Sequence, residues 1–231
     1  MKRSILLTVA SLLCLASIAQ DDDTYSMYVY LSDGSVETYA VNDVDSVVFV
    51  SNDDATSSHA YVDLGLSVKW ATCNIEAEST SDYGDYYAWG ETATKNSYSS
   101  ANSATYGIEL DDIAGDADYD VATALWGGTW RMPTYDECAE LVDNCTWEWT
   151  AVDDINGYLV TGPNGNSIFL PAVGYRRGGS LLSTGTTGCY WSSTTSGSGN
   201  GLAGCIYFIS STHSMEGFYR YRGHTVRPVT E

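Results

Sequence analysis

The stretch GCYWSSTTSGSGNGLAGCIYF, residues 188–208, decides the architecture. Its centre, SGSGNG, has the composition of a flexible linker. Its flanks hold Cys189, Tyr190, Trp191, Cys205, Tyr207 and Phe208, side chains that belong in a packed body. Tyr190-Trp191 on one side and Ile206-Tyr207-Phe208 on the other read as strands of one sheet, because aromatic and β-branched runs fit a pleated surface. The glycine-serine centre is then the loop these strands display. If that loop is a simple six-residue turn, Cys205 faces Ser192 and not Cys189.

At the other end of the chain, Lys2 and Arg3 precede the apolar run ILLTVASLLCLASIA, with small residues at Ser17 and Ala19. This is the pattern of a signal peptide cleaved after Ala19, and the run is too short for a spanning helix. Residues 1–19 are therefore expected to be removed and the product exported to the periplasm, the cell surface or the medium, with no membrane insertion. The formal charge of −20 becomes two units more negative with the loss of Lys2 and Arg3. Such an acidic chain has no basic footprint for nucleic acid. Its acids are spread along the sequence, which serves solubility.

Residues 20–50 read as a small β unit. In MYVYLSDGSVETYAV, Asp33-Gly34 is a two-residue hairpin turn signal that would pair Leu31 with Val36, Val29 with Thr38 and Met27 with Ala40. VDSVVFV offers a third strand, and residues 51–60 form a polar linker. Three short strands are marginal alone, so this unit is expected to pack on another surface. The main domain, 61–231, starts with strands in YVDLGLSVKWATCNI. An irregular polar excursion spans 92–117, and a short helix falls in DYDVATALWG. In PTYDECAELVDNC, Thr134 and Glu137 form a capping-box pair, with Ala139, Leu141 and Val142 as the apolar side. Short strands follow, with turns at Asn156-Gly157 and GPNGN. Few helices, many short strands and 22 glycines make the fold class α+β.

Seven motifs in order carry a family resemblance: YVDLGLSVKWATCNI, DYGDYYAWGET, WGGTWRMPT, NCTWEWT, GPNGNSIFLPAVGYR, YWSST and RYRGHTVRPV. Together, over about Tyr61 to Val229, they resemble the Fibrobacter succinogenes major paralogous domain, common in exported Bacteroidetes proteins. The resemblance implies a C-type-lectin-like fold, with two helices, a twisted antiparallel sheet, adjoining chain ends and ligand loops at one end. It also implies structural roles for the motif residues Trp130, Arg131, Trp191, Arg220, Gly223 and Arg227. A Cys73–Cys145 disulfide is its first candidate bridge, and Cys189–Cys205 is the second. The blocks YWSS and RxxGxxVRPV also bracket the variable region of retroelement-diversified proteins of this fold.

That fold hosts unrelated functions, so the residues must decide. The Glu-Pro-Asn or Gln-Pro-Asp loop and Trp-Asn-Asp run of calcium-dependent lectins are absent. In DDIAGDADYD, residues 111–120, Asp116, Asp118 and Asp120 alternate as in a calcium loop, but the glycine and closing glutamate of that loop are missing. The reading is a solvated loop whose last aspartates cap the next helix, with Ca2+ as the only cofactor considered and no metal site assigned. His59, His213 and His224 have no serine elbow nearby, and Glu91 and Asp85 read as structural acids, so no catalytic residue is assigned. Residues 194–225 combine Ser, Gly, Asn, His and Tyr, the palette of adaptable recognition loops. The candidate ligand residues are Thr195, Ser196, Ser198, Asn200, Tyr207, His213, Glu216, Phe218, Tyr219, Tyr221 and His224. The expected function is a non-catalytic module binding a glycan or protein. The alternative is a structural component of a surface complex, docked through the N-terminal strands.

Overall fold

The computed structural model describes residues 26–30, 36–40, 59–197 and 199–231. The chain divides into two compact units, 1–49 and 50–231, each described here by itself. The signal-peptide reading and the third strand of the N-terminal unit fall outside the described residues. In that unit, β1 (Ser26–Tyr30) and β2 (Val36–Ala40) pair antiparallel. The register differs by one residue from the expected one: Tyr30 faces Val36, Val29 faces Glu37 and Met27 faces Tyr39. The expected Asp33-Gly34 turn lies outside the described residues. Because side chains alternate across a strand, a one-residue slip re-pairs every face.

The larger unit is antiparallel β structure with two short helices. It opens with β3 (Tyr61–Val62) and β4 (Lys69–Ala71), and the chain returns at its end as β13 (Val229–Thr230). Both β3 and β13 flank β4, so the two ends of the unit meet across Trp70. After the excursion come α1 (Val121–Trp126) and α2 (Tyr135–Asn144). The capping box forms as expected: the Glu137 N–H donates to Thr134 Oγ1, and the Thr134 N–H donates to Glu137 Oε2. The buried face of α2 is set by Cys138 and Leu141, with Val142 and Cys145 packed beside them. Cys138 thus holds the place assigned to Ala139, because 138, 141, 142 and 145 follow the helical period.

Strands β5 (Thr146–Val152), β6 (Ile155–Thr161) and β7 (Ser167–Pro171) form a meander. Its first turn is Asp153-Asp154, both at positive φ (51° and 63°), and not Asn156-Gly157. Gly157 instead lies inside β6, where a Cβ would come within 2.4 Å of the Leu170 carbonyl. The GPNGN turn sits where expected, between β6 and β7. A small hairpin of β8 (Tyr175–Arg177) and β9 (Ser180–Leu182) follows.

The 188–208 stretch is the hairpin that its flanks predict. β10 (Thr187–Thr195) pairs with β11 (Leu202–Ile209), and β12 (Thr212–Tyr219) completes that sheet. A bulge between Trp191 and Thr195 shifts the register, so Trp191 faces Cys205 and Cys189 faces Tyr207. β10 and β11 are covered on both faces. Tyr190, Ile206 and Phe208 point into one cluster with Trp70, Leu141 and Leu170. Cys189, Trp191, Ala203 and Cys205 point into another with Ile75 and Trp89. Alternation along two neighbouring strands sorts the residues this way, and it explains the near-continuous apolar composition. Gly188 is required by its partner: the Phe208 ring fills the space its side chain would take, with Cζ 2.0 Å from a Cβ placed there. Among the described residues no helix is long and apolar enough to cross a membrane.

Candidate functional site

From the end of β12, alternate residues turn in opposite directions: Tyr219 and Tyr221 outward, Arg220 inward. Arg220 is fully buried, lies 4.4 Å over the Trp89 ring, and donates to the carbonyls of Leu202, Thr105, Ile108 and Leu110. Three of those carbonyls belong to the excursion, so one guanidinium ties it down beneath the tyrosines. Tyr106 is thereby held edge-on to Tyr221, with centroids 5.1 Å apart, while Tyr219 and Tyr221 stack at 5.2 Å. Tyr219 is 44% exposed and Tyr106 37%. The glycine-serine loop closes one side: the Gly107 N–H donates to the Asn200 carbonyl at 2.7 Å, and the Arg220 N–H to the Gly201 carbonyl at 3.0 Å.

On its other side Tyr221 borders a shallow groove of about 480 Å³, lined also by Tyr98, Ser99, Ser100, Arg177, Ser180 and Leu182. Tyr98 and Gly178 exchange backbone hydrogen bonds of 2.9 and 2.8 Å, which fixes the excursion to the β8–β9 hairpin. Across Tyr98 a second recess, about 400 Å³, is lined by Asp85, Lys95, Asn96 and Arg176. Arg177 is exposed, and none of the ion pairs among the described residues involves it or Arg176. A rigid aromatic platform beside hydroxyls and a cation is the chemistry of a shallow recognition surface.

The expected ligand residues divide into those at this surface and those away from it. Tyr219, Tyr221, Ser196 and Asn200 belong to it or its rim. Thr195, half-buried at the end of β10, donates its N–H to the Asp111 carbonyl. Ser198 lies outside the described residues. His213 is elsewhere, stacked on Trp147 at 4.5 Å. Tyr207 and Phe218 pack against the second core cluster, and Glu216 is exposed on β12 and accepts from the Ser214 hydroxyl. His224 is not a surface residue at all: it is 0% exposed and stacks on Trp191 at 4.0 Å. Its polar neighbours in sequence hid a backbone bridge to Tyr87, which pulls it into the body. Tyr106, Tyr98 and Arg177 were missed. They are distant in sequence, and only the Arg220 carbonyl network and the Tyr98–Gly178 bridge bring them in.

The motif residues fill structural positions. Trp130, Trp191 and Arg227 are buried, and Arg131 forms a bidentate ion pair with Glu137 at 2.7–2.8 Å. A Cβ at Gly223 would approach the Tyr98 ring to 2.7 Å. Glu91 pairs with Lys95 at 2.6 Å and accepts from the Ala104 N–H. Both oxygens of Asp120 are taken by backbone N–H groups, which leaves the acidic run without its innermost calcium donor. The disulfide expectations are corrected, since all five described cysteines are free. Cys73 packs against one core cluster and Cys145 against the other. Cys189 and Cys205 sit diagonally on adjacent strands, not opposite one another.

The titratable groups predict a stability plateau. Burial lowers His59 and His213 below the ordinary 6.5, with Glu76 and Asp143 opposing it. In acid the unfolded chain then takes up protons that the folded one resists, so stability falls as pH drops below about 6.5. Burial would raise Glu137, but the Arg131 hydrogen bond and the Thr134 N–H outweigh it and hold the carboxyl below its ordinary 4.5. Its contribution is lost on further acidification. Burial raises Tyr86, Tyr87 and Cys138, so above about pH 9 the unfolded chain releases protons that the folded one keeps. Urea unfolding across pH is expected to show greatest stability between these limits. A monotonic profile would contradict it.

Comparison with protein families, curated proteins and solved structures gave no match.

Proposed function

We propose that this chain is an exported, non-catalytic binding module that takes a glycan or protein ligand on the Tyr106–Tyr219–Tyr221 platform and the adjoining groove. The observation that carries this reading is the platform itself. Three interlocked tyrosines stand at the surface, held from below by a buried arginine, at the end of the hairpin that bears the glycine-serine loop. Pre-organised aromatic rings lose little entropy on binding and offer flat faces to sugar rings or side chains. The meeting of β3 and β13 at β4, the two helices and the layered antiparallel sheets are compatible with a C-type-lectin-like domain. The contacts of Asn200 with Gly107 and of Gly201 with Arg220 and Tyr106 likewise support a diversified C-terminal surface.

The second reading, a structural component of a surface complex, is favoured by one observation. A two-stranded hairpin such as β1–β2 is marginal alone, and Tyr28 on it is 59% exposed. Glycan-array and pull-down measurements separate the two. Tyr219→Ala combined with Tyr221→Ala is expected to weaken binding about tenfold or more, as for aromatic anchors at an interface centre. The melting temperature should hardly change, since both side chains are exposed or half-buried. Unaltered binding by this variant would rule out the platform. Partner capture that depends on residues 25–50 would support the second reading.

A further inference from the structure

The second core cluster contains a group of donors that the proposed binding surface does not use. Cys189 on β10, Cys205 on β11 and His224 beyond β12 are each 0% exposed. Their two sulfurs and one ring nitrogen all lie within 4.8 Å of one another. The Cys205 Sγ to His224 Nδ1 distance is 3.4 Å. A tetrahedral zinc with bonds of about 2.3 Å to sulfur and about 2.0 Å to nitrogen needs sulfur–nitrogen separations of about 3.5 Å. Cys205 and His224 are therefore already near coordination spacing, with the Cys189 sulfur within 4.8 Å of both.

We propose that Cys189, Cys205 and His224 form a buried binding site for a thiophilic divalent metal ion of the zinc class. Each donor is fixed from its own element. The β-bulge after Trp191 puts the two cysteines on the same face of adjacent strands, at diagonal positions. His224 is clamped by paired backbone hydrogen bonds with Tyr87 (2.8 and 3.1 Å), by its stack on Trp191 and by the edge contact of Phe218 at 5.1 Å. His224 Nε2, the ring nitrogen turned away from Cys205, is buried with no hydrogen-bond partner among the described residues.

Charge selects the ion. Each thiol gives its proton to solvent as its sulfur bonds the metal, so one divalent ion releases two protons and leaves a neutral unit of metal, two thiolates and imidazole. A neutral unit is what a buried, aromatic surrounding tolerates. Soft sulfur donors without a carboxylate among them disfavour magnesium and calcium. Sequence separations of 16 and 19 residues hide the group from any spacing rule for zinc sites.

The test uses the full chain purified under reducing conditions without chelator and then titrated with zinc(II), cobalt(II) and copper(I) separately. Uptake of one zinc per chain is expected, with a raised melting temperature. Cobalt(II) is expected to give a thiolate-to-metal charge-transfer band. Cys189→Ser with Cys205→Ser should abolish both, while Cys73→Ser with Cys145→Ser leaves them intact. Should the first variant fail to fold, the cobalt spectrum of the unaltered chain still decides, because a missing thiolate band overturns the site. A Cys189–Cys205 disulfide found by intact mass in the reducing preparation, or uptake of copper(I) with zinc refused, would also overturn it.

Discussion

Arg227→Met is expected to destabilise the larger unit by about 4 kcal/mol, the scale seen when one side of a buried polar network is removed. The Arg227 side chain is 1% exposed and its guanidinium has four acceptors: Asn74 Oδ1 at 2.8 Å and the carbonyls of Ala71, Thr72 and Phe169 at 2.9–3.1 Å. Burial pulls its pKa below the ordinary guanidinium value, against the opposing effect of Tyr190 and Cys73. Replacing a buried ion pair by apolar groups can be neutral when both partners go. Here three of the partners are main-chain carbonyls, which no side-chain substitution removes. Methionine fills the volume but leaves those carbonyls without a donor. Those carbonyls lie on or beside β4 and on β7, so the network joins two sheets. Against a typical total stability of about 5–15 kcal/mol, such a loss leaves a marginal protein. Arg227→Lys is not expected to restore it, because a single ammonium cannot span a four-acceptor fork. Urea midpoints, with unchanged slope, measure the effect. A loss below about 1 kcal/mol would mean that water replaces the guanidinium and the network contributes little.

Arg227 and its neighbours also show what the sequence makes legible and what it conceals. Local signals translate directly. The Thr134/Glu137 pair starts α2, GPNGN turns the meander, and the aromatic flanks of SGSGNG form β10 and β11. Each of these is decided within a few residues by capping, turn chemistry or strand composition. Register is decided by contacts the local pattern does not contain. Asn156-Gly157 has the stronger turn composition, yet Asp153-Asp154 takes the turn and Gly157 is held where the Leu170 backbone leaves no room for a side chain. The bulge after Trp191 likewise moves Cys205 from Ser192 to Trp191, and only then do the cysteines and His224 converge. The proposed binding surface is of the same kind. Tyr219 and Tyr221 are visible as aromatics in a polar run, but Tyr106 arrives from more than a hundred residues away through the carbonyls that Arg220 gathers. His224 misleads for the converse reason: its neighbours are polar, and a backbone bridge buries it.

The acidic run 111–120 gives the other large expectation. Asp120→Ala should cost about 4 kcal/mol and Asp120→Asn about 3 kcal/mol, because both leave buried N–H donors unpaired. Asp120 is fully buried at the N-cap of α1. Its Oδ1 accepts from the N–H groups of Ala122 at 2.9 Å and Thr123 at 3.1 Å, and its Oδ2 from those of Gly115 and Met132, both at 2.9 Å. The carboxylate therefore fastens the loop before α1, the helix itself and the WRMP segment after it to one point. Asparagine keeps the shape but has a single acceptor oxygen. Whichever way its amide is turned, an NH2 group faces two N–H donors. Asp116 and Asp118 stand exposed on the same run, and their replacement by asparagine is expected to change stability by no more than about 0.5 kcal/mol. For a unit of this size, a 3–4 kcal/mol loss lowers the melting temperature by about 10 °C. Amide exchange at Gly115, Ala122, Thr123 and Met132 should accelerate with it. Equal effects at positions 116 and 120, or a melting temperature that rises with added calcium and falls with chelator, would instead mark the run as a cation loop. The accounting of the four N–H groups at Asp120 predicts neither.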